Sequence, residues 1–141
     1  KSVGIANMKM SSKARYGLYV AVELAKRYAT SEVVPVCTLA QCTGVTEKYL
    51  EQILALMKKQ NVVVAVRGAN GGYKLTNPPE NTTVGSVLRA VEDNLEIVDC
   101  LHKNCSNKCK CVSHNLWAKL YDNINSYLDT ISLKQLAEDN V

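Results

Sequence analysis

The sequence predicts a mainly α-helical fold with one small β hairpin: a winged helix-turn-helix domain followed by a long C-terminal dimerisation helix. Three observations carry this expectation. Apolar residues recur at helical spacing in separate stretches around residues 12–28, 45–59, 83–92 and 112–131. A β-prone run, Val62 to Val66, stands directly before a glycine-rich turn. The 141 residues suffice for one sizeable core with a helical appendage.

From Ser12 to Tyr28 the chain reads as helix, with Tyr16, Val20 and Leu24 at helical spacing. "TSEVVP" follows as a loop or a short extended piece. Thr38 then opens a second helix, with Gln41 placed three residues on to complete a capping box, and "TGV" at 43–45 ends it. Thr46 caps a third helix, in which Leu50, Ile53, Leu54 and Met57 form one apolar face. Lys48, Gln52, Ala55 and Lys59 oppose that face, flanked by Glu47, Glu51 and Lys58. A short helix, a glycine-containing turn and a longer helix with a polar outer face form a helix-turn-helix, whose second helix enters the major groove.

Asn70-Gly71 signals a hairpin turn, and Tyr73 to Leu75 return as the second strand of a wing. Arg67 is expected at its root. Gly68, Gly71 and Gly72 let the backbone approach a phosphate chain or a minor groove. The glycines lack both the GxGxxG spacing and the Gly-Lys-Ser or Gly-Lys-Thr ending of a nucleotide loop.

Charge agrees with a polyanion partner. Residues 1–77 hold eleven Lys or Arg against four Asp or Glu, net +7, whereas residues 78–141 are net −3. Glu47 and Glu51 repel phosphate but can accept from cytosine amino groups, which favours base selectivity. Tyr16, Tyr19 and Tyr28 are read as helix-packing residues rather than stacking platforms. The expected DNA-facing set is Ser12, Lys13 and Arg15, then Thr46, Glu47, Lys48, Tyr49, Glu51 and Gln52, then Arg67, Asn70 and Gly71.

After Pro78-Pro79, Thr83 caps a coupling helix with Val84, Val87, Leu88 and Val91 at helical spacing. A long helix starts near Val112. Its Leu116, Leu120, Ile124 and Leu128 lie four apart beside Trp117, Tyr121 and Tyr127, a stripe suited to a subunit interface. Ser132 and Gln135 form a capping box for a short last helix. The expected organisation is therefore 8–93 as the winged domain with its coupling helix, 94–114 as a Cys/His ligand loop, 112–131 as the dimerisation helix and 132–141 as the terminal helix. Two copies place two recognition helices on an approximately palindromic double-stranded operator, so the expected partners are operator DNA and a second copy.

No apolar run approaches the roughly 20 residues that cross a bilayer, and "KSVGIAN" is too short and polar for a secretory signal. A cytoplasmic protein without a membrane partner is expected, where disulfides are disfavoured. No paired-carboxylate motif, nucleophile elbow or triad pattern occurs, which argues against an enzyme.

"DCLHKNCSNKCKCVSH", residues 99–114, gathers four of the six cysteines and both histidines. Cys100, Cys105, Cys111 and His114 can wrap one centre, and thiolate with imidazole suits an iron-sulfur cluster or zinc. Cys109 competes with Cys111 for the third position, and His102 with His114. Redox-switching thiols and disulfides are the alternatives, while Cys37 and Cys42 are expected in the core.

"MKMSSKARYGLYVAVELA" at 8–25, "VTEKYLEQILALMKKQNVVVAVRGANGGYKL" at 45–75 and "CLHKNCSNKCKCVSHNLW" at 100–117 resemble the Rrf2 family of bacterial transcription regulators, and the cysteines before HxxW resemble its iron-sulfur-sensing branch. The resemblance implies a homodimeric winged-helix protein whose cluster state alters operator affinity. It assigns Cys100, Cys105, Cys111 and His114 to the cluster, in 2Fe-2S or 4Fe-4S form, and leaves Cys109 unmatched. It also implies that Ser12, Lys13 and Arg15 lie near the DNA backbone, the third helix in the major groove and Arg67 in the wing.

Overall fold

Ser11 fixes where the first helix starts: its hydroxyl accepts from the Ala14 amide at 3.1 Å, satisfying one of the donors that the first helical turn leaves orphaned. The computed structural model describes residues 10–92, 95, 112–139 and 141. In chain order the elements are α1 (Ser12–Lys26), α2 (Val36–Thr43), α3 (Glu47–Lys59), β1 (Val63–Val66), β2 (Gly72–Leu75), α4 (Val84–Val91), α5 (His114–Thr130) and α6 (Leu133–Ala137). The first helix stops two residues before its expected end, and Tyr28–Thr30 tighten into a 3₁₀ turn.

Helix α1 is the central element, packing against α2, α3, α4 and α6. Its buried face is Ala14, Gly17, Val20, Ala21, Leu24 and Ala25. Gly17 is where α4 passes closest, since a Cβ there would stand 3.1 and 3.2 Å from the Val91 methyls. The four predicted apolar positions of α3, Leu50, Ile53, Leu54 and Met57, are all fully buried. Each such side chain contributes about 1.5–3 kcal/mol of burial free energy, enough to orient the helix.

Helix α2 begins earlier than expected. Pro35, at φ −63° and ψ 150°, is the N-cap without a side-chain bond, and Thr38 lies inside the first turn with its amide on the Pro35 carbonyl at 3.1 Å. Proline's fixed φ sets the start, so the Thr38–Gln41 pattern is not used as a capping box. With this register Leu39 is the fully buried residue of α2, and Cys37 and Cys42 are exposed thiols rather than core. Gly44 ends the helix in the left-handed region at φ 72°, as the break at 43–45 predicts.

The hairpin pairs Val63 with Leu75 and Val66 with Gly72. The "TSEVVP" stretch proves extended where it matters: Val34 and Tyr73 exchange two backbone bonds of 2.9 Å, laying a third strand segment along β2. The connecting loop spans residues 67–71, closed by the Gly71 amide on the Gly68 carbonyl at 3.0 Å. Gly68, at φ 118°, supplies the left-handed step, so Asn70-Gly71 is not a tight two-residue turn. Arg67 therefore opens the loop at the wing's tip, and not at its root.

Thr83 caps α4 by accepting from the Ser86 amide at 3.1 Å. Ser132 and Gln135 form both halves of the predicted capping box. The junction of α5 and α6 is stitched to the start of α4: Val84 donates to the Ile131 carbonyl and Leu133 to the Thr82 carbonyl, each at 2.8 Å. Helix α5 starts at His114, two residues after Val112, and contains no fully buried residue. Leu116 and Tyr127 on it are 58% and 59% exposed, while Leu120, Ile124 and Leu128 are half-buried, so part of its apolar stripe faces outward.

Candidate nucleic-acid interface

The outward face of α3 follows from its inward one. With Leu50, Ile53, Leu54 and Met57 buried, Thr46, Glu47, Lys48, Glu51, Gln52, Ala55, Lys58 and Lys59 are exposed and Tyr49 is half-buried. Thr46 holds the first turn by accepting from the Tyr49 amide at 3.3 Å. Glu47 in that turn and Lys58 and Lys59 in the last complement the helix dipole. This exposed set has the chemistry of base readout: Gln for adenine, Lys for guanine, carboxylates for the cytosine amino group.

Helix α1 meets α3 through aromatic rings. Tyr16 stands edge-on to both Tyr19 and Tyr49, with centroids 5.9 and 6.2 Å away. This contact brings the α1 turn that follows Ser12, Lys13 and Arg15 against the first turn of α3. Ser12 and Arg15 are exposed, joined by a 3.3 Å bond from Arg15 Nη2 to Ser12 Oγ, and Lys13 is half-buried. On the wing, Arg67 and Asn70 are exposed and Gly71 is half-buried. Tyr16 and Tyr28 pack against the core as expected, whereas Tyr19 is 53% exposed.

The cations divide in the same way. Lys26 and Arg27 pair with Glu23 at 3.0 and 2.8 Å, and Arg89 pairs with Asp129. Arg27 also reaches Glu32 at 3.9 Å and Cys42 Sγ at 3.8 Å, so it ties the end of α1 to α2. Burial opposes ionisation of Glu23, but the hydrogen bonds and charges of Arg27 and Lys26 prevail and hold its carboxyl below the ordinary range. The Glu23 bond in turn raises Arg27. Among the described residues Lys13, Arg15, Lys48, Lys58, Lys59, Arg67 and Lys74 form no ion pair, and they lie on the start of α1, on α3 and on the wing. Lys119 on α5 and Lys134 on α6 are also unpaired among the described residues, so most, not all, of the uncommitted charge sits on the elements expected to meet phosphate.

Of the expected ligand set, Cys100, Cys105 and Cys111, with the competitors Cys109 and His102, lie outside the described residues. His114 is described, and it opens α5. Among the described residues its buried Nδ1 has no hydrogen-bond partner. Among the described residues no group of three or more His, Cys, Asp or Glu is arranged to hold a metal ion. An orphaned buried imidazole nitrogen is costly and suits coordination, so His114 and thiolate donors fit the chemistry of an iron-sulfur or zinc centre.

Sequence reasoning missed two contacts of this region. Ser11 is the cap of α1, and its hydroxyl also donates to the Glu92 carboxylate. Arg89 reaches Asn125 and Asp129 on α5. The Ser11-Ser12 doublet was the available signal for the first; the second joins residues about forty apart with no local pattern.

Comparison with known proteins agrees with this architecture. The Rrf2 sequence profile, described as an iron-dependent transcriptional regulator, matches residues 10–139. The HTH-type transcriptional regulator IscR of Aliivibrio salmonicida is 36% identical over 134 residues, covering 94% of this chain and 79% of the relative. The solved structure of CymR (YrzC), the global cysteine regulator of B. subtilis, superposes with TM-score 0.74 at 32% identity, covering 92% of this chain and 96% of that one. T. potens IscR superposes with TM-score 0.75 at 31% identity, covering 98% and 92%.

Proposed function

The chain belongs to the Rrf2 family of transcriptional regulators, which are not enzymes, and from that premise we propose that it is a homodimeric regulator of the cytoplasm that binds double-stranded operator DNA and answers a signal received at residues 94–114. One observation carries the DNA reading: α3 buries Leu50, Ile53, Leu54 and Met57 and turns Thr46, Glu47, Lys48, Glu51 and Gln52 outward, one glycine turn after α2 and directly before a wing. In this reading α3 contacts base edges, the start of α1 holds a backbone phosphate and Arg67 at the wing tip reaches the flanking backbone or minor groove. Residues 112–131 join two copies. Among the described residues no helix is long and apolar enough to cross a membrane.

Titration at two salt concentrations tests it. Gln52→Ala should reduce discrimination between cognate and random duplex by about tenfold, the loss of one bidentate base contact. Arg67→Ala should weaken both duplexes and lower the salt slope by about one. Unchanged affinity in both variants removes this recognition surface.

For the signal, one reading is a regulator that works without a cluster, through thiol redox chemistry or a metabolite. Likeness to CymR, a cysteine regulator, points the same way. A specific observation favours a second reading: the buried Nδ1 of His114, without a partner among the described residues, following a cysteine-rich segment in a family described as iron-dependent. In that reading Cys100, Cys105, Cys111 and His114 hold an iron-sulfur cluster, which supplies a redox-sensitive centre at the start of α5. Iron and acid-labile sulfide in protein purified without oxygen decide for the cluster, stoichiometric zinc decides for a zinc-stabilised module, and reversible operator binding without metal decides for thiols.

A further inference from the structure

Helix α5 meets the winged domain at its C-terminal end, and two kinds of bond hold it there. The first is the backbone stitch of Val84 with Ile131 and of Leu133 with Thr82, at 2.8 Å each. The second is a single guanidinium. Arg89, on the last turn of α4, donates from Nη1 to Asn125 Oδ1 at 3.1 Å and from Nη2 to Asp129 Oδ1, two acceptors one turn apart on α5. Asn125 is itself fixed, its amide donating to the Tyr121 carbonyl at 3.0 Å.

A stitch at one end of a helix is a pivot, and a pivot alone leaves the direction of the helix open. The fork of Arg89 supplies the second point, because a planar guanidinium holding two acceptors has little freedom to rotate. Gly85 provides the room. One turn before Arg89, a Cβ at this position would collide with the Asp129 carboxylate and stand 2.9 and 3.0 Å from the Arg89 nitrogens. Among the described residues Leu128, close to the stitched end, is the apolar side chain of α5 that packs against the buried core, so apolar packing acts near the pivot and not along the helix. Helix α4 carries that direction inward, because Gly17 of α1 stands against both Val91 of α4 and Ile53 of α3.

We infer that Arg89 is a positioning residue that sets the direction of α5 relative to the winged domain, and so the spacing of the two operator half-sites that a dimer reads. The inference rests on the reading of α5 as the dimer helix. Its stability role is small by contrast: the Arg89 and Asp129 side chains are 41% and 45% exposed, and exposed ion pairs contribute little to folding. This separates geometry from stability in an experiment.

The test uses the full chain and a duplex selected by the wild type from random DNA, rebuilt with the half-sites one and two base pairs closer and farther apart. The variants are Arg89→Met, which keeps the apolar stem and removes the fork, and Gly85→Ala, which fills the cradle from the other side. Wild type should prefer one spacing over its neighbours by about tenfold or more, the usual scale of one unfavourable base-pair change. Both variants should remain dimeric by light scattering, with thermal midpoints within about 3 °C of wild type, while the spacing preference shifts or falls to about threefold or less. Dimeric variants that keep the wild-type preference overturn the inference alone, and so does an equal loss of affinity at every spacing. A wild-type chain that stays monomeric, or binds no duplex, overturns the functional reading and this inference with it.

Discussion

The ring of Tyr16 meets that of Tyr49 edge to face, at 6.2 Å between centroids and 86° between planes. Tyr49 lies on the turn that Thr46 caps, so the cap fixes that turn along its own helix and Tyr16 fixes it against α1. Tyr16→Leu should cost about 0.5–1.5 kcal/mol beyond the change in buried area, the worth of an aromatic pair. It should also weaken operator binding, because the first turn of α3 loses its lateral support. Tyr16→Phe keeps the ring and should behave as wild type in both thermal unfolding and duplex titration. Equal effects of the two variants would make the hydroxyl, not the ring pair, the working group.

Glu23 gives a pH prediction with a definite sign. Its folded-state carboxyl is held below the ordinary range by the bonds and charges of Arg27 and Lys26, which outweigh burial. Its contribution to stability is therefore fully present above the unfolded-state value and is lost as the pH falls through the folded-state one. Glu23→Gln should destabilise the chain at neutral pH by on the order of half a kcal/mol, since the pairs are partly exposed. The difference from wild type should shrink on acidification below the usual carboxylate range. Urea unfolding at neutral and acid pH measures it, and a constant difference would assign the effect to packing.

What could be read in advance depended on how far apart the partners lie in the chain. Leu50, Ile53, Leu54 and Met57 declare their face within a single helix, and Ser132 with Gln135 completes its box in four residues, as the structure shows. The same box pattern misleads at Thr38, because Pro35 three residues earlier fixes the backbone more strongly than a hydroxyl can. That shift turns Cys37 and Cys42 outward. Asn70-Gly71 marks the hairpin correctly, but Gly68 decides the loop type and moves Arg67 to the tip. Arg89 with Asp129 and Ser11 with Glu92 are joined only by tertiary packing, and polar pairs of that kind leave no periodicity to read.

The partly exposed stripe of α5 predicts dimer loss by charge. Leu120 and Ile124 are half-buried in the monomer, one turn apart. Replacing both with Glu places two carboxylates where a second copy would bury them without partners, at a cost of several kcal/mol. Light scattering should report a monomer, and circular dichroism should report unchanged helix content, because α5 has no fully buried residue whose loss would unfold the chain. A folded dimer would place the interface elsewhere.

The buried Nδ1 of His114 separates the two readings of the signal. If it is a ligand, protein prepared without oxygen should contain iron and acid-labile sulfide, and Cys100→Ser, Cys105→Ser or Cys111→Ser should each lower both contents by leaving a centre one donor short. His114→Ala should do the same, while Cys109→Ser should be mild in the register that the family resemblance implies. Absorption and Mössbauer spectra of each variant give a readout independent of DNA binding. If His114 is not a ligand, His114→Ala removes an unsatisfied buried polar atom and should stabilise the metal-free chain or leave it unchanged, because the desolvation penalty of about 1–3 kcal/mol disappears with the ring. Thermal unfolding of the metal-free protein therefore complements the metal analysis. A variant that loses iron without losing apo stability supports the cluster, whereas one that gains stability in a wild type free of iron and sulfide supports a thiol or metabolite input.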